Sequence, residues 1–194
     1  FDYVNATKPI NGKEIILIAK DDAYEAGRTV ANVEEMLDTD NVLGFVGVIG
    51  TPNNFAIRPI TDEACVPQLL NLSGFPFWGD PANYPWTVGN ILNYITETNI
   101  WCEAIVEEFG EGARVAGLFA NNDFGKTYQQ TLKGCSGIDL IAEELHDPAA
   151  PDVTNEMTTL ASSGAQVFVA GTTGAFCPQS VGVMAATPWR PRFY

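Results

Sequence analysis

The sequence predicts an α/β fold whose strands lie parallel in the sheets. Short apolar runs of strand length alternate with amphipathic segments of helix length along the 194-residue chain. Most of the apolar runs lack a strict alternation of apolar and polar side chains, as is typical of strands covered on both faces. Strands that alternate with helices form right-handed βαβ units, which bring the carboxyl ends of all strands to one edge of a sheet.

The predicted elements follow from these two patterns. The strands cover residues 14–19, 44–49, 68–72, 114–120, 139–144 and 166–170, and a last strand begins at Arg192. The helices are segments whose apolar residues recur on one face. They cover residues 24–37, 53–63, 94–109, 125–133, 152–162 and 176–185. Pro59 is expected to kink or shorten the second helix, because proline lacks a backbone N–H.

One segment interrupts the alternation of strands and helices. Residues 73–89 read SGFPFWGDPANYPWTVG and are rich in proline and aromatic residues. The segment is too long for a tight loop and too apolar for a solvated linker. We therefore interpret it as the crossing between two α/β lobes, with lobe one at residues 1–88 and lobe two at residues 89–194.

Composition argues against several classes of function. The chain carries 10 Lys and Arg against 24 Asp and Glu, for a net charge of −14. A surface of that charge repels nucleic acid and anionic membranes, because phosphates need cations opposite them. No apolar run reaches eighteen or more residues, so the sequence predicts no segment inserted in a membrane.

The cysteines and the single histidine do not form a metal-binding pattern. Cys65, Cys102, Cys135 and Cys177 stand far apart, and His146 is the only histidine. A zinc site needs clustered Cys and His ligands, so no metal is expected. Buried thiols, or one or two disulfides, both suit this composition.

Polar turns follow four of the predicted strands. They are Gly50-Thr51-Pro52-Asn53-Asn54, Ser73-Gly74-Phe75, Asn121 to Lys126, and Gly171-Thr172-Thr173-Gly174. Glycine lets a backbone approach a ligand closely, and the N–H groups at a helix N-terminus favour a carboxylate. Helix capping alone is the alternative explanation, because every parallel α/β protein needs such residues at its turns. We hypothesise a small-molecule ligand in a cleft at this edge of the sheets.

Cys177 carries the best indication of an enzyme. It lies just after the last polar turn, near a predicted helix N-terminus, where the pKa of a thiol falls. A cysteine-dependent α/β enzyme is therefore an alternative to a binding protein. A buried or disulfide-bonded cysteine is the simpler reading, because no base is paired with it in the sequence. His146 is expected to be a surface loop residue.

Several short motifs, taken in order, resemble one family of proteins. They are DDAY at 21–24 with RTVANV at 28–33, GVIGTPNN at 47–54, VPQL at 66–69, WGDP at 78–81 with NYPWT at 83–87, NDFGK at 122–126, and LASSGA at 160–165. Their joint order and spacing resemble the periplasmic solute-binding proteins of branched-chain amino acid ABC transporters. The similarity spans essentially the whole chain.

The resemblance implies a type I periplasmic-binding fold, in which two doubly wound parallel-sheet lobes close like a hinge on a ligand. It implies a non-enzymatic protein, periplasmic or extracellular, that delivers a small molecule to an ABC transporter permease and needs no cofactor. A ligand-sensing receptor ectodomain of the same fold is the alternative. Both lobes are expected to be incomplete, with family elements before Phe1, where a lipoprotein anchor is one option, and after Tyr194.

The resemblance also implies which residues meet the ligand. The expected ligand-binding residues are Asn53, Asn54, Ser73, Gly74, Phe75, Phe124 and Thr172. The first two turns would hold a carboxylate, and the second would also hold an α-ammonium group. Phe124 would cap the ligand from lobe two, and Thr172 would face the cleft.

Two departures from the family pattern leave the ligand open. Asn54 stands where several relatives carry serine, and Phe124 stands where amino-acid binders often carry tyrosine. Phenylalanine cannot donate a hydrogen bond. The expected ligand is therefore an amino acid, an amide, or an aromatic or other small acid.

Overall fold

Two parallel sheets lie at the centre of the protein. A computed structural model describes residues 1–194. The first sheet has the order β1-β2-β3 and contains Phe45–Val46, Gln68–Asn71 and Thr87–Gly89. The second has the order β5-β4-β6-β7 and contains Ala113–Ala120 (β4), Ile138–His146 (β5), Val167–Gly171 (β6) and Arg192–Phe193 (β7). All strand pairs are parallel, so the predicted α/β class is confirmed.

Seven α-helices connect and cover the strands. They are α1 (Asp2–Thr7), α2 (Ala26–Glu35), α3 (Thr51–Glu63), α4 (Tyr94–Phe109), α5 (Asp123–Lys133), α6 (Thr154–Ser162) and α7 (Phe176–Ala186). A π-helical turn, Met36–Asp40, extends α2, and a 3-10 turn, Pro76–Gly79, follows β2. None of the helices combines the length and the apolar character that crossing a bilayer requires.

The second sheet is covered by helices on both faces. One core cluster includes Ile105 of α4, Phe119 of β4 and Leu132 of α5. The other includes Met157 and Leu160 of α6, packed with strand residues from the opposite face. Burying side chains of this size stabilises the fold by about 1.5–3 kcal/mol each, which explains the near-continuous apolar sequence of β4.

A disulfide between Cys102 and Cys135 adds a covalent link to this lobe. Cys102 lies in α4, and Cys135 lies just beyond α5. Cys65 and Cys177 are free thiols. The sequence left the choice between thiols and disulfides open, because spacing does not reveal which distant cysteines meet.

The predicted strand at residues 14–19 is wrong. Residues 14–20 pair with no strand, and Ile16 is 81% exposed. The only partner of this backbone is a side chain, because the Asn5 amide donates to Ile15 O and accepts from Ile15 N–H, at 2.9 and 2.8 Å. An apolar run becomes a strand only where a second strand offers its backbone groups.

Segment 73–89 is more than a crossing, because its end forms β3. Thr87 and Gly89 pair with Gln68 and Asn71 of β2. The alternation of apolar and polar residues does not predict this strand, because the strand has only three residues and follows a proline-rich stretch. The chain then leaves the first sheet and enters α4. The boundary between the lobes at residue 88 stays a prediction.

Arg58 of α3 anchors the segment that leads into β3. Its guanidinium carbon lies 3.2 Å from the ring centroid of Tyr84 and 5.1 Å from that of Trp78. Its Nη2 donates to Phe77 O at 3.0 Å. Pro59, the next residue, does not end the helix, since α3 continues to Glu63. Pro59 therefore does not shorten this helix, and the alternative, a kink, stays a prediction.

Candidate ligand-binding site

The turns after β1 and β2 lie side by side. Ile49 and Leu72 form a parallel bridge, and the next residues, Gly50 and Ser73, begin the two polar turns. The hydroxyl oxygens of Thr51 and Ser73 are 2.7 Å apart and share a hydrogen bond. Both residues are buried. The structure therefore brings together the first two predicted turns in one polar patch.

The N-terminus of α3 is a donor site within this patch. No side chain caps the helix, and the backbone N–H groups of Thr51 and Asn53 have no acceptor in the protein. Such first-turn N–H groups and the helix dipole favour a negative group. Gly50 precedes the helix with φ of 101°, and a Cβ there would lie 2.6 Å from the Tyr24 ring. Only glycine fits between that ring and the helix.

The two predicted asparagines are buried and support this turn. Asn53 Nδ2 donates to Thr29 Oγ1 at 2.8 Å and to Asp22 Oδ2 at 3.1 Å, while its Oδ1 has no partner. Asn54 Nδ2 donates to the carbonyls of Val48 and Gly50, and its Oδ1 accepts from Gln68. No amide hydrogen of Asn54 remains for a ligand, so its side chain holds the turn. Its predicted ligand contact stays a prediction.

Two tyrosines cover the polar patch, and sequence reasoning missed both. The ring of Tyr24 packs on Gly50, and the ring of Tyr94 packs on Gly74. Burial, followed by the nearby Tyr94 and Asp22, raises the pKa of Tyr24 to about 12. The Tyr94 N–H also donates to Gly74 O at 2.8 Å. The tyrosines are far apart in the chain, so no local pattern placed them in one site.

Backbone strain marks the turn that carries Tyr24. Ala23 and Tyr24 both have positive φ, at 50° and 61°. The left-handed region costs roughly 1–2 kcal/mol for a residue with a Cβ. The carboxylates of Asp21 and Asp22 hold the turn by accepting the N–H groups of Ala23 and Tyr24, at 2.8 and 2.9 Å. The acids of the DDAY motif thus hold this turn and do not cap the next helix, α2, which has no side-chain cap.

Phe124 belongs to an aromatic cluster between α4 and α5. The cluster consists of Tyr94, Trp101, Phe124 and Tyr128. The rings of Phe124 and Tyr94 are 5.3 Å apart and meet edge to face. The Tyr128 hydroxyl donates to the Glu97 carboxylate, and burial first, then this bond, raises the pKa of Tyr128. Phe124 thus lies beside the ring that covers Gly74.

A pocket opens beside the second polar turn. It has a volume of about 340 Å³ and is lined by Ser73, Gly74, Phe75, Trp78, Gly89 and Asn93, among others. That volume lies within the range of small-molecule sites, about 300–1,000 Å³. A larger cavity, about 550 Å³, lies next to the disulfide, and Glu103, Glu107 and Glu111 are among the residues that line it. It is at the opposite, amino-terminal edge of the second sheet and shares no residue with the predicted site.

Thr172 lies apart from the polar patch, on the second sheet. It follows β6, is 7% exposed, and its Oγ1 is 2.7 Å from Nε2 of His146. His146 ends β5 and is 1% exposed, so the expectation of a surface loop residue is wrong. The strand β5 is longer than its apolar run predicted, and this extension buries the imidazole. The hydrogen bonds of Thr172 go to His146 and Cys177, and none joins it to the polar patch.

A family model described as periplasmic binding protein matches residues 1–192. The chain belongs to this family of periplasmic binding proteins. The resemblance seen in the sequence motifs is thereby confirmed. No curated protein matches the chain.

Solved structures of other periplasmic binding proteins share the fold. The chain is similar to a substrate-binding periplasmic protein from Ralstonia solanacearum, with 23% identity and a TM-score of 0.87 over 99% of this chain and 54% of that one. It is similar to a possible leucine/isoleucine/valine-binding protein from Rhodopirellula baltica SH 1, with 20% identity and a TM-score of 0.85 over 100% and 54%.

A third similar structure contains a bound ligand. It is a branched-chain amino acid ABC transporter from Thermus thermophilus with bound valine, with 18% identity and a TM-score of 0.83 over 99% of this chain and 50% of that one. The chain spans about half the length of these structures. The predicted type I periplasmic-binding fold with two incomplete lobes is confirmed.

Cys177 lacks the environment of a nucleophile. Burial raises the pKa of its thiol, which outweighs a backbone hydrogen bond, so the predicted fall in pKa is wrong. The thiol donates to Thr172 O at 3.5 Å. The thiolate is the reactive form of cysteine, and a raised pKa reduces its population at neutral pH.

Cys177 is expected to react with iodoacetamide more slowly than free cysteine at neutral pH. Mass spectrometry of timed samples measures the rate at each cysteine, and the exposed thiol of Cys65 provides the internal control. Cys65 should be labelled first, and both should react alike in denaturant. Labelling of Cys177 faster than free cysteine would support the enzyme alternative instead.

Proposed function

We propose that the chain is part of a solute-binding protein that acts in the periplasm or outside the cell. It captures a small solute with a carboxylate group, foremost an amino acid, and delivers it to an ABC transporter permease. The observation that carries this proposal is the uncapped N-terminus of α3 next to the Thr51–Ser73 pair. Membership of the periplasmic binding protein family supports it.

The carboxylate of the solute binds at the α3 N-terminus. The free N–H groups of Thr51 and Asn53 donate to one or both carboxylate oxygens, and the Ser73 hydroxyl lies beside them. Hydrogen bonds to a charged group contribute about 1.5–3 kcal/mol each, more than bonds between neutral groups. The helix dipole adds to this attraction, although the chain as a whole is acidic.

Binding requires the lobes to open and close. Tyr24 and Tyr94 cover the polar patch, so they must move before a solute reaches the α3 N-terminus. Tyr94 and Phe124 both belong to the predicted lobe two, whereas Gly74 belongs to lobe one, so movement of one lobe relative to the other uncovers Gly74. Hinge closure then traps the solute between the donors of lobe one and the apolar ring of Phe124. A bound branched-chain side chain would pack on that ring.

A thermal-shift screen of the full-length protein tests this function. The panel contains L-amino acids, small amides and aromatic carboxylates at millimolar concentration. A solute with micromolar Kd stabilises the folded state by about 4 kcal/mol and raises Tm by at least several degrees. A shift confined to L-amino acids would support the proposal, and no shift with any carboxylate would contradict it.

Phe124→Ala is expected to weaken binding of the solute that this screen selects by about tenfold, because the apolar cap is lost. Titration calorimetry measures Kd for the variant and the wild type. Tyr3→Ala is the control, because Tyr3 is an aromatic residue that is 80% exposed on α1. Equal affinity of Phe124→Ala and Tyr3→Ala would exclude Phe124 from the site.

A further inference from the structure

His146 and Thr172 form a buried hydrogen-bonded pair at the carboxyl edge of the second sheet. His146 pairs with Ala120, the last residue of β4, and Gly171 pairs with Phe119 of the same strand. The imidazole Nε2 is 2.7 Å from Thr172 Oγ1, and Nδ1 is 3.1 Å from Asp147 O. The ring of Phe176 packs on the imidazole with centroids 4.2 Å apart. Both ring nitrogens therefore have one defined partner.

In a neutral imidazole, these two partners determine the direction of each hydrogen bond. A carbonyl oxygen only accepts, so Nδ1 carries the hydrogen that it donates to Asp147 O. A neutral imidazole has one N–H, which leaves Nε2 as an acceptor. The Thr172 hydroxyl must then donate its only hydrogen to Nε2. Its oxygen retains lone pairs but has no hydrogen left for any other group.

We propose that His146 is a positioning residue that makes Thr172 a hydrogen-bond acceptor towards the solute. This inference rests on the proposed function and on the prediction that Thr172 faces the cleft. Thr172 then binds a donor of the solute, such as an ammonium or amide N–H group, and discriminates against solutes that present only a carboxylate. The α3 N-terminus offers only donors, so the two ends of the site select opposite groups.

NMR of the 15N-labelled full-length protein tests the tautomer without any ligand. Long-range 15N–1H correlation separates protonated from unprotonated imidazole nitrogens, and loss of signals in His146→Gln assigns the ring. Nδ1 should be protonated and Nε2 unprotonated. The Nε2 shift should move in Thr172→Val and return in Thr172→Ser, which restores the hydroxyl. A protonated Nε2 acting as donor, or an Nε2 shift indifferent to Thr172→Val, would overturn the proposal.

Calorimetry with two probes tests the specificity. L-Leucine and 4-methylpentanoate differ only in the α-ammonium group. The ratio of the Kd of 4-methylpentanoate to the Kd of L-leucine therefore measures recognition of that group. Thr172→Val should lower this ratio about tenfold, and Thr172→Ser should preserve it. His146→Leu should lower the ratio too, because the freed Thr172 hydroxyl can donate to a carboxylate. If Thr172→Val weakens the binding of both probes equally, the proposed role of Thr172 in specificity is wrong.

The two experiments separate this inference from the proposed function. If neither probe binds the wild type, the function as an amino-acid binder fails, while NMR still decides whether His146 orients the Thr172 hydroxyl. If L-leucine binds and the ratio is insensitive to Thr172→Val, the function holds and the role of Thr172 is wrong. The thermal unfolding of every variant is measured, and the Thr172→Val and Thr172→Ser pair decides the result if His146→Leu does not fold.

Discussion

Removing the disulfide between Cys102 and Cys135 is expected to lower the free energy of unfolding by about 3–4 kcal/mol. The bond closes a loop with a sequence separation of 33 residues, and opening it returns that loop's entropy to the unfolded chain. The bond also ties α4 to the end of α5, the two helices that cover one face of the second sheet. Thermal unfolding followed by circular dichroism should show Tm about 10 °C lower.

Two matched controls accompany this prediction. Cys65→Ser changes an exposed free thiol and should alter stability by less than about 0.5 kcal/mol. Reductant should lower Tm of the wild type to the value of the double variant Cys102→Ala/Cys135→Ala and leave that variant unchanged. A wild-type Tm that reductant does not change, with both thiols shown to be reduced, would contradict the prediction.

Gly74→Ala is expected to cost about 3 kcal/mol of stability and most of the solute affinity. A Cβ at this position would lie 2.1 Å from Leu92 O and 2.6 Å from the Tyr94 ring. A backbone carbonyl cannot rotate away as a flexible side chain can, so the start of α4 must shift. That shift moves Tyr94 and, through it, the contact with Phe124 of α5.

Gly79→Ala is the matched control for this second prediction. Gly79 lines the same pocket, lies five residues away in the same segment, and would place its Cβ in open space. Tm and solute Kd of this variant should match the wild type within the error of the measurement. Comparable losses of stability and affinity for Gly74→Ala and Gly79→Ala would mean that the segment tolerates no added methyl group. The contact of Gly74 with the start of α4 would then be excluded as the specific cause.

Helix α4 illustrates what the sequence was able to predict. Its predicted bounds, 94–109, match the structure, because it has a long apolar stripe and a strong start signal. The Asn93 side chain caps the helix by accepting the N–H of Ile95 at 2.9 Å. Both signals are local, so they act in the same way wherever the helix packs.

The failures concern strands and contacts between distant segments. Residues 14–19 have the composition of a strand but no partner, whereas the three residues of β3 become a strand because β2 lies beside them. His146 was read as a loop residue, since nothing near it in sequence shows that Phe176 and Thr172 enclose it. Burial of a polar ring depends on residues about thirty positions away.

The same distinction applies to the site. The sequence by itself determined the α/β class, the polar turns at the carboxyl ends of the strands and the family resemblance, because these depend on local propensity and spacing. Only the tertiary structure decided that Tyr24 and Tyr94 cover those turns, that Asn54 supports a turn from inside, and that Cys102 pairs with Cys135. These features arise from contacts that form only when distant segments pack together, and no local pattern encodes them.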